Sequence, residues 1–113
     1  MLTIRKQQME ALLEVARQRF RLDLRLFIRE NLADECAQFT DAELDEHISD
    51  CEVAASGLGI LTQSGVAQFT CLTFTPFPGF FLEQEVRQYL TEPGVDPESR
   101  LDDIADLMES LDA

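Results

Sequence analysis

The stretch that decides the fold is residues 3–31, TIRKQQMEALLEVARQRFRLDLRLFIREN. At about 100° per residue, its apolar residues fall on two opposite sides of one long helix. A helix that is apolar on two sides would expose one of them at a protein surface, so we expect other helices to pack against both. This helix should then be the most buried element and should contact at least three others. The two sides consist of Met9, Leu13, Ala16, Phe20, Leu24 and Phe27, and of Ile4, Leu12, Val15, Leu22 and Leu26.

A row of basic side chains runs between these two sides, formed by Arg17, Arg21, Arg25 and Arg29 at four-residue spacing. Residues 1–30 carry seven basic and four acidic residues, a net charge of +3, whereas the remaining residues carry two basic and 18 acidic ones, a net charge of −16. The row is interpreted first as an internal counter-charge to acidic helices. The alternative interpretation is a docking surface for an acidic partner.

The overall composition indicates one globular domain. The chain has 113 residues, 45% of them hydrophobic, which is enough for a single modest core. No apolar run approaches the length of a membrane span, and the charged residues Arg5, Lys6, Glu10 and Glu14 lie where a secretory signal would be apolar. Cys36, Cys51 and Cys71 are odd in number and irregularly spaced, so we expect free thiols in the cytoplasm.

The net charge of −13 limits the possible partners. A surface this negative repels nucleic acid and anionic lipid, and it attracts basic molecules. We therefore expect a protein partner, without nucleic acid or membrane. The sequence does not predict the oligomeric state.

A second and a third helix are predicted after the first. The second, about residues 41–56, begins at a capping box, in which Thr40 is the N-cap and Glu43 follows three residues later. The third begins near residue 62 or 64 and ends near residue 74. A strand over residues 68–75 is the alternative, but no second strand-like run could pair with it. The predicted inward face of the second helix consists of Leu44, Ile48, Cys51 and Ala55.

Two further helices complete the prediction. A short one covers about residues 81–90, and Asp96 and Pro97 open the last one as N-cap and first helical residue. The sequence therefore predicts an all-α fold: a single domain over residues 1–113, in which about five helices form a bundle around the long N-terminal helix.

Residues 75–81, TPFPGFF, interrupt the helices, because two prolines and a glycine cannot continue one. The three phenylalanines of this turn have two interpretations: a plug under neighbouring helices, or an exposed aromatic patch that binds a partner. In the second case the anchors are Phe77 and Phe80, since prolines on both sides of Phe77 can hold it outward at little further entropic cost.

The sequence offers few residues for catalysis or metal binding. Glu43, His47 and Cys51 share one face of the second helix and could ligate a metal or form an activated thiolate. The chain has a single histidine, however, and a structural metal site usually needs four ligands. Phosphate-binding loops, dinucleotide-binding glycine patterns and a Ser-His-Asp arrangement are absent from the sequence. We therefore predict that the protein is not an enzyme and binds no cofactor or metal.

The opening of the chain carries a family resemblance. Residues 1–5, MLTIR, are followed by Gln8, Met9 and Leu12 and then by the arginine-rich helix. This pattern resembles a group of small acidic helical proteins encoded in effector clusters of bacterial type VI secretion systems. The likeness extends to the GLGI break at residues 57–60 and to the apolar third helix that ends at Phe74. The resemblance implies an accessory role and brings no catalytic residues with it.

The predicted function is that of a non-enzymatic adaptor or co-chaperone that helps to load or stabilise a type VI effector or its tip protein. The alternative is an immunity protein that inhibits a basic toxin. A nucleic-acid mimic ranks third and a metal-dependent enzyme last. A mimic should spread its acids along an edge without an apolar patch, whereas an adaptor should have an exposed apolar groove.

Overall fold

A computed structural model describes residues 6–74 and 79–112, and within these ranges every regular element is helical. The all-α fold of five helices is therefore confirmed, and the strand alternative for the third helix is wrong. Among the described residues, no helix is long and apolar enough to cross a membrane. The helices are α1 (Lys6–Asn31), α2 (Asp41–Gly57), α3 (Gln63–Leu72), α4 (Gln84–Thr91) and α5 (Pro97–Asp112), with a 3₁₀ turn at Phe80–Leu82.

Side-chain caps account for several helix starts. The predicted capping box is confirmed: the Glu43 amide donates to the Thr40 hydroxyl at 3.1 Å, and the Glu43 carboxylate accepts from the Thr40 amide at 3.0 Å. Thr62 caps α3 by accepting from the Gly65 amide at 3.0 Å. Asp96 precedes α5 and accepts from the Glu98 amide at 3.3 Å. These bonds satisfy backbone donors that have no partner inside a helix.

Helix α3 lies at the centre of the bundle, because it contacts α1, α2 and α5. Helix α4 contacts α5 and the 3₁₀ turn, so it joins the bundle through them. The buried apolar side chains form two clusters, one around α3 and one between α1 and α2. The inward face predicted for α2 is confirmed, since all four of its residues are buried. The α3 cluster contains Cys51, Ala55, Leu58, Ile60, Val66, Phe69, Leu72, Phe80, Leu90 and Leu101, and the other contains Leu24, Ile28, Cys36, Leu44 and Ile48.

The structure corrects the prediction that helices cover both apolar sides of α1. In the described part of the chain α1 contacts only α2 and α3, because α4 and α5 pack on the far side of α3. Its outer side stays in solvent, with Val15 61%, Leu22 41% and Leu26 56% exposed. The expectation that α1 is the most buried element with at least three neighbours is therefore wrong, and α3 takes that place.

The aromatic turn is described from Gly79 onward, and Phe77 lies outside the described residues. Phe80 is 5% exposed. Its ring centroid lies 5.5 Å from that of Phe69 and 5.6 Å from that of Phe81, as in favourable tilted and edge-to-face pairs. The interpretation of Phe80 as an outward anchor is wrong, because packing against α3 buries it, as in the plug interpretation.

A close approach between α3 and α5 requires glycine at position 65. A Cβ atom there would lie 2.8 Å from Ile60 Cγ2 and would overlap the Glu98 carboxylate, which accepts a hydrogen bond from the Thr62 hydroxyl. We expect Gly65→Ala to lower the free energy of unfolding by about 1–2 kcal/mol, because overpacking outweighs the better helix propensity of alanine.

Chemical denaturation of both proteins measures this effect, with Gly57→Ala as the matched control. A Cβ atom at Gly57 meets nothing within 4 Å, so that substitution should leave stability within about 0.5 kcal/mol or raise it slightly. Equal stabilities of the two variants would contradict the tight α3–α5 contact.

Candidate protein-binding groove

Helices α4 and α5 form an antiparallel hairpin that side-chain contacts hold together at one end. The Tyr89 hydroxyl donates to the Asp103 carboxylate at 3.1 Å, and Arg100 pairs with Glu92 at 3.1 Å. The Arg100 guanidinium also lies over the Tyr89 ring, 4.1 Å from its centroid, in a cation–π contact. These contacts bring the end of α4 against the start of α5, with the fully buried Leu90 and Leu101 nearby.

The other end of this hairpin is open and forms an apolar groove. Side chains of the 3₁₀ turn, α4 and α5 line a groove of about 420 Å³ there, and it continues between the two helices into a second part of about 350 Å³. The first part is lined by Gly79, Phe80, Glu83, Val86, Ile104, Leu107 and Met108, and the second by Glu85, Val86, Tyr89, Asp103, Ile104 and Leu107.

The groove has an apolar floor and an acidic rim. Val86 and Ile104 line both parts, while Glu83, Glu85 and Asp103 supply carboxylates at the edges. Residues 79–112 carry ten acidic and two basic residues, a net charge of −8. Glu83 and Glu85 take part in no ion pair within the described ranges. The groove therefore combines an apolar surface with a negative potential, which attracts basic ligands.

The arginine row of α1 faces α2 and is largely neutralised there. Arg21 donates from Nε and one terminal nitrogen to the two Glu52 carboxylate oxygens at 2.8 and 3.4 Å. Arg25 donates to Asp45 at 2.7 Å. The hydrogen bond with Glu52 is the main cause that raises the pKa of Arg21 above its ordinary value. Both arginines therefore join α1 to α2.

Arg29 holds the connection between α1 and α2. It donates to the Cys36 and Phe39 carbonyl oxygens at 2.9 and 2.5 Å and pairs with Asp41 at 3.0 Å. The hydrogen bond with Asp41 raises the pKa of Arg29. Arg17 differs, because it is exposed and pairs with an acid one turn away on α1. The counter-charge interpretation is thus confirmed for Arg21, Arg25 and Arg29. Arg17 is the arginine of the row that is most available to a partner.

The residues considered for a metal site are not brought together around one position. The Glu43 carboxylate is bound in the capping box with Thr40, while His47 Nε2 lies 3.6 Å from Cys51 Sγ. Among the residues that the structure describes, no group of three or more His, Cys, Asp or Glu could hold a metal ion. Burial raises the pKa of the Cys51 thiol, which disfavours the reactive thiolate.

His47 is held in an aromatic environment between Phe39 and Phe74, with ring centroids 5.8 and 5.1 Å away. Its Nε2 lies 2.7 Å from the Thr73 hydroxyl oxygen, and that hydroxyl donates to the Thr70 carbonyl at 2.6 Å. Since the hydroxyl proton is used there, the Thr73 oxygen accepts from His47, which requires the tautomer with a proton on Nε2. Burial lowers the pKa of His47.

This pKa shift predicts a pH dependence of stability. As the pH falls below the ordinary histidine pKa of about 6.5, the unfolded chain takes up a proton that folded His47 resists, so folding loses free energy. Denaturant unfolding at pH about 7.5 and 5.5 should therefore show a larger loss for the natural chain than for His47→Gln, which retains a hydrogen-bond donor. All 22 carboxylates are present in both proteins, so the difference isolates His47. Equal losses would contradict the shift.

Sequence reasoning identified part of the groove but not its role. Ile104 and Met108 follow the helical period of the apolar side of α5 together with Leu101, so periodicity alone places them inward. Leu107 was missed, although the signal was present: it is an apolar residue three positions after Ile104, on the side of α5 that is otherwise acidic. The spacing of the arginine row left a counter-charge and a binding surface both open, because spacing alone does not show that α2 carries the matching acids.

Comparisons with protein-family models, with curated proteins and with solved structures found no match for this chain. The resemblance to type VI secretion accessory proteins therefore stays a prediction from the sequence. The first five residues of its motif lie outside the described ranges.

Proposed function

We propose that this chain is a non-enzymatic accessory protein that binds a basic amphipathic helix of a protein partner in the groove between α4 and α5. One observation carries the proposal: an apolar floor and an acidic rim occur together in one open groove. Apolar contacts supply most of the affinity of such a site, while complementary charge speeds encounter and selects the partner.

A helix is the occupant that fits this site best. The groove runs between two helices, and an amphipathic helix can insert apolar residues at positions i, i+3, i+4 and i+7 into such a channel. Val86, Ile104 and Leu107 form a continuous apolar line through both parts of the groove. Basic residues beside those anchors would meet Glu83 and Glu85 on the rim. A basic, helical segment therefore satisfies both shape and charge.

The side chains with reactive potential support a non-enzymatic role. His47 is engaged with Thr73, and the pKa of Cys51 is raised by burial. All three cysteines are free, with Cys36 buried as well and Cys71 half-buried. Free thiols are typical of cytoplasmic proteins, which is the location expected from the sequence. An apolar groove also favours an adaptor over a nucleic-acid mimic, which needs carboxylates without an apolar floor.

The biological setting that we propose follows from the resemblance alone. In that setting the bound helix belongs to a type VI secretion effector or tip protein, which the chain loads or stabilises before secretion. An immunity protein would use the same groove on a basic toxin. The two roles differ in outcome, because an inhibitor rescues cells from one toxin without affecting secretion, whereas deletion of an adaptor reduces effector export.

Two model peptides test the groove directly by NMR with the isotope-labelled chain. Both are helices of about 18 residues with leucine at i, i+3, i+4 and i+7, and their remaining positions carry lysine in one and glutamate in the other. The lysine peptide should bind and shift the amide signals of residues 83–86 and 103–108. The glutamate peptide should bind at least about tenfold more weakly, because its charges repel the rim.

Two outcomes would contradict the proposal. One is equal binding of both peptides, which would mean that the acidic rim does not select the ligand. The other is a set of shifts confined to α1 or α2, which would place the ligand outside the groove. Raising the salt concentration should mainly slow association of the lysine peptide, since long-range attraction is screened within about 10 Å at 0.1 M salt.

A further inference from the structure

The first half of α1 contributes no described side chain to the two buried clusters. Between Gln8 and Arg19, every side chain that the structure describes is exposed, and packing begins only at Phe20. An isolated helical segment of this length is marginal in water, because most helices depend on packing of an apolar face. The described side chains of this half therefore form no packed apolar face.

The solvent side of α1 carries a regular apolar stripe. Val15, Arg19, Leu22 and Leu26 follow one another at intervals of four, three and four residues, the spacing of a coiled-coil seam. The three apolar members are exposed. At about 100° per residue, this stripe lies opposite the side on which Leu24 is buried. The stripe therefore faces away from the side on which Leu24 packs into the bundle.

The charges beside the stripe identify what covers it. Arg19 and Asp23 form an exposed pair at 3.5 Å, one turn apart. In an antiparallel pairing of two α1 helices, with the two-fold axis level with residue 21, Arg19 of each copy lies opposite Asp23 of the other. The same register brings Val15 of each copy close to Leu26 of its counterpart. The stripe is therefore complementary to itself in both charge and apolar character.

The distribution of net charge favours the same contact. Two chains of net charge −13 repel one another. Beside the stripe, however, Arg19 is paired with Asp23 within α1, so two copies approach there with less repulsion than through the acidic segments that follow residue 30. We propose that the chain forms a homodimer by antiparallel pairing of α1 through Val15, Leu22 and Leu26. The dimer leaves the groove between α4 and α5 free, so this proposal does not depend on the proposed function.

The expected dimer is reversible. Two α1 helices centred on residue 21 overlap over residues 11–31, about 30 Å of helix. A contact of this length buries less surface than the roughly 800 Å² per partner of a standard stable interface. Sedimentation equilibrium from about 1 µM to 1 mM should show monomers at low and dimers at high concentration. Hydrogen exchange at residues 11–19 should slow as the concentration rises. A natural chain that stays monomeric throughout would overturn the proposal.

Leu22→Asp tests the apolar stripe, and Val53→Asp, at an exposed position of α2, is the matched control with the same added charge. Circular dichroism establishes that both variants keep their helices. Leu22→Asp should then remain monomeric at concentrations where the natural chain and Val53→Asp dimerise. Equal dimerisation of the two variants would remove the stripe from the interface.

Charge reversal tests the antiparallel register independently of folding. Arg19→Glu and Asp23→Lys should each weaken self-association about three- to tenfold, because attraction across the axis becomes repulsion. An equimolar mixture should form heterodimers about as strong as the natural dimer, since each reversed charge then meets its opposite. Asp23→Lys is decisive, because it makes the chain less negative and would strengthen a dimer governed by net charge alone. Stronger self-association of Asp23→Lys than of the natural chain would overturn the register. So would an equimolar mixture that associates no more strongly than either variant alone.

Discussion

Replacing Phe69 with alanine should lower the free energy of unfolding by about 3–5 kcal/mol, the largest effect of a single core truncation in this chain. Phe69 is fully buried on the central helix α3. Its ring centroid lies 5.5 Å from Phe80 and 5.0 Å from Phe81. The substitution therefore removes a large apolar side chain and two aromatic contacts at once, and the aromatic turn loses the surface on which it packs.

Denaturant unfolding measures this loss, and Phe27→Ala is the matched control because Phe27 is 51% exposed on α1. The control should change stability by less than about 1 kcal/mol. If Phe69→Ala leaves too little folded protein for a melt, the milder Phe69→Leu should still cost about 1–1.5 kcal/mol. Similar effects of truncation at the two positions would contradict the central place of α3.

Replacing Leu107 with aspartate should weaken partner binding by about thirtyfold or more, since truncation of a buried interface anchor typically costs over 2 kcal/mol. Leu107 is 61% exposed in the free chain and lines both parts of the groove. Bound ligand would cover it, so an added carboxylate would be buried without a partner. The loss should appear mainly in the dissociation rate, because apolar contacts hold the complex after encounter.

Leu61→Asp provides the control for this measurement. Leu61 is 74% exposed and does not line the groove, while its substitution changes the net charge by the same amount. It should leave binding of the lysine peptide or the natural partner within about twofold. Thermal melting of both variants should match that of the natural chain. Equal loss at the two positions would attribute the effect to charge and would remove Leu107 from the binding site.

Local sequence patterns predicted the helices well because each pattern acts within a few residues. The capping box at Thr40 and Glu43 and the cap at Asp96 depend on bonds between near neighbours. The inward face of α2 follows from the helical period, and the helical state of α3 followed from the lack of a strand to pair with. None of these features requires knowledge of where distant segments lie.

The candidate site was predictable only in its chemistry. The acidic bias after residue 30 predicted a negative surface, and the apolar groove is the feature that the sequence analysis expects of an adaptor. The sequence of the aromatic turn suits both a plug and a patch; at Phe80 the structure shows the plug, and the same residue also lines the groove. Only the position of Phe69 on a neighbouring helix decides between these alternatives. The role of Phe77 as a partner-binding anchor stays a prediction.

By itself, the sequence determined the all-α class, the number of helices, their main caps and the division between a basic first helix and an acidic remainder. Tertiary structure decided which apolar faces are covered. The outer stripe of α1 and the inward face of α2 have similar periodicity, yet one is exposed and the other buried, because α4 and α5 pack beyond α3. The groove likewise depends on tertiary packing, because Val86 and Ile104 line it from two different helices. Periodicity reports which residues could be buried, whereas burial itself depends on whether another segment is long enough and close enough to cover them.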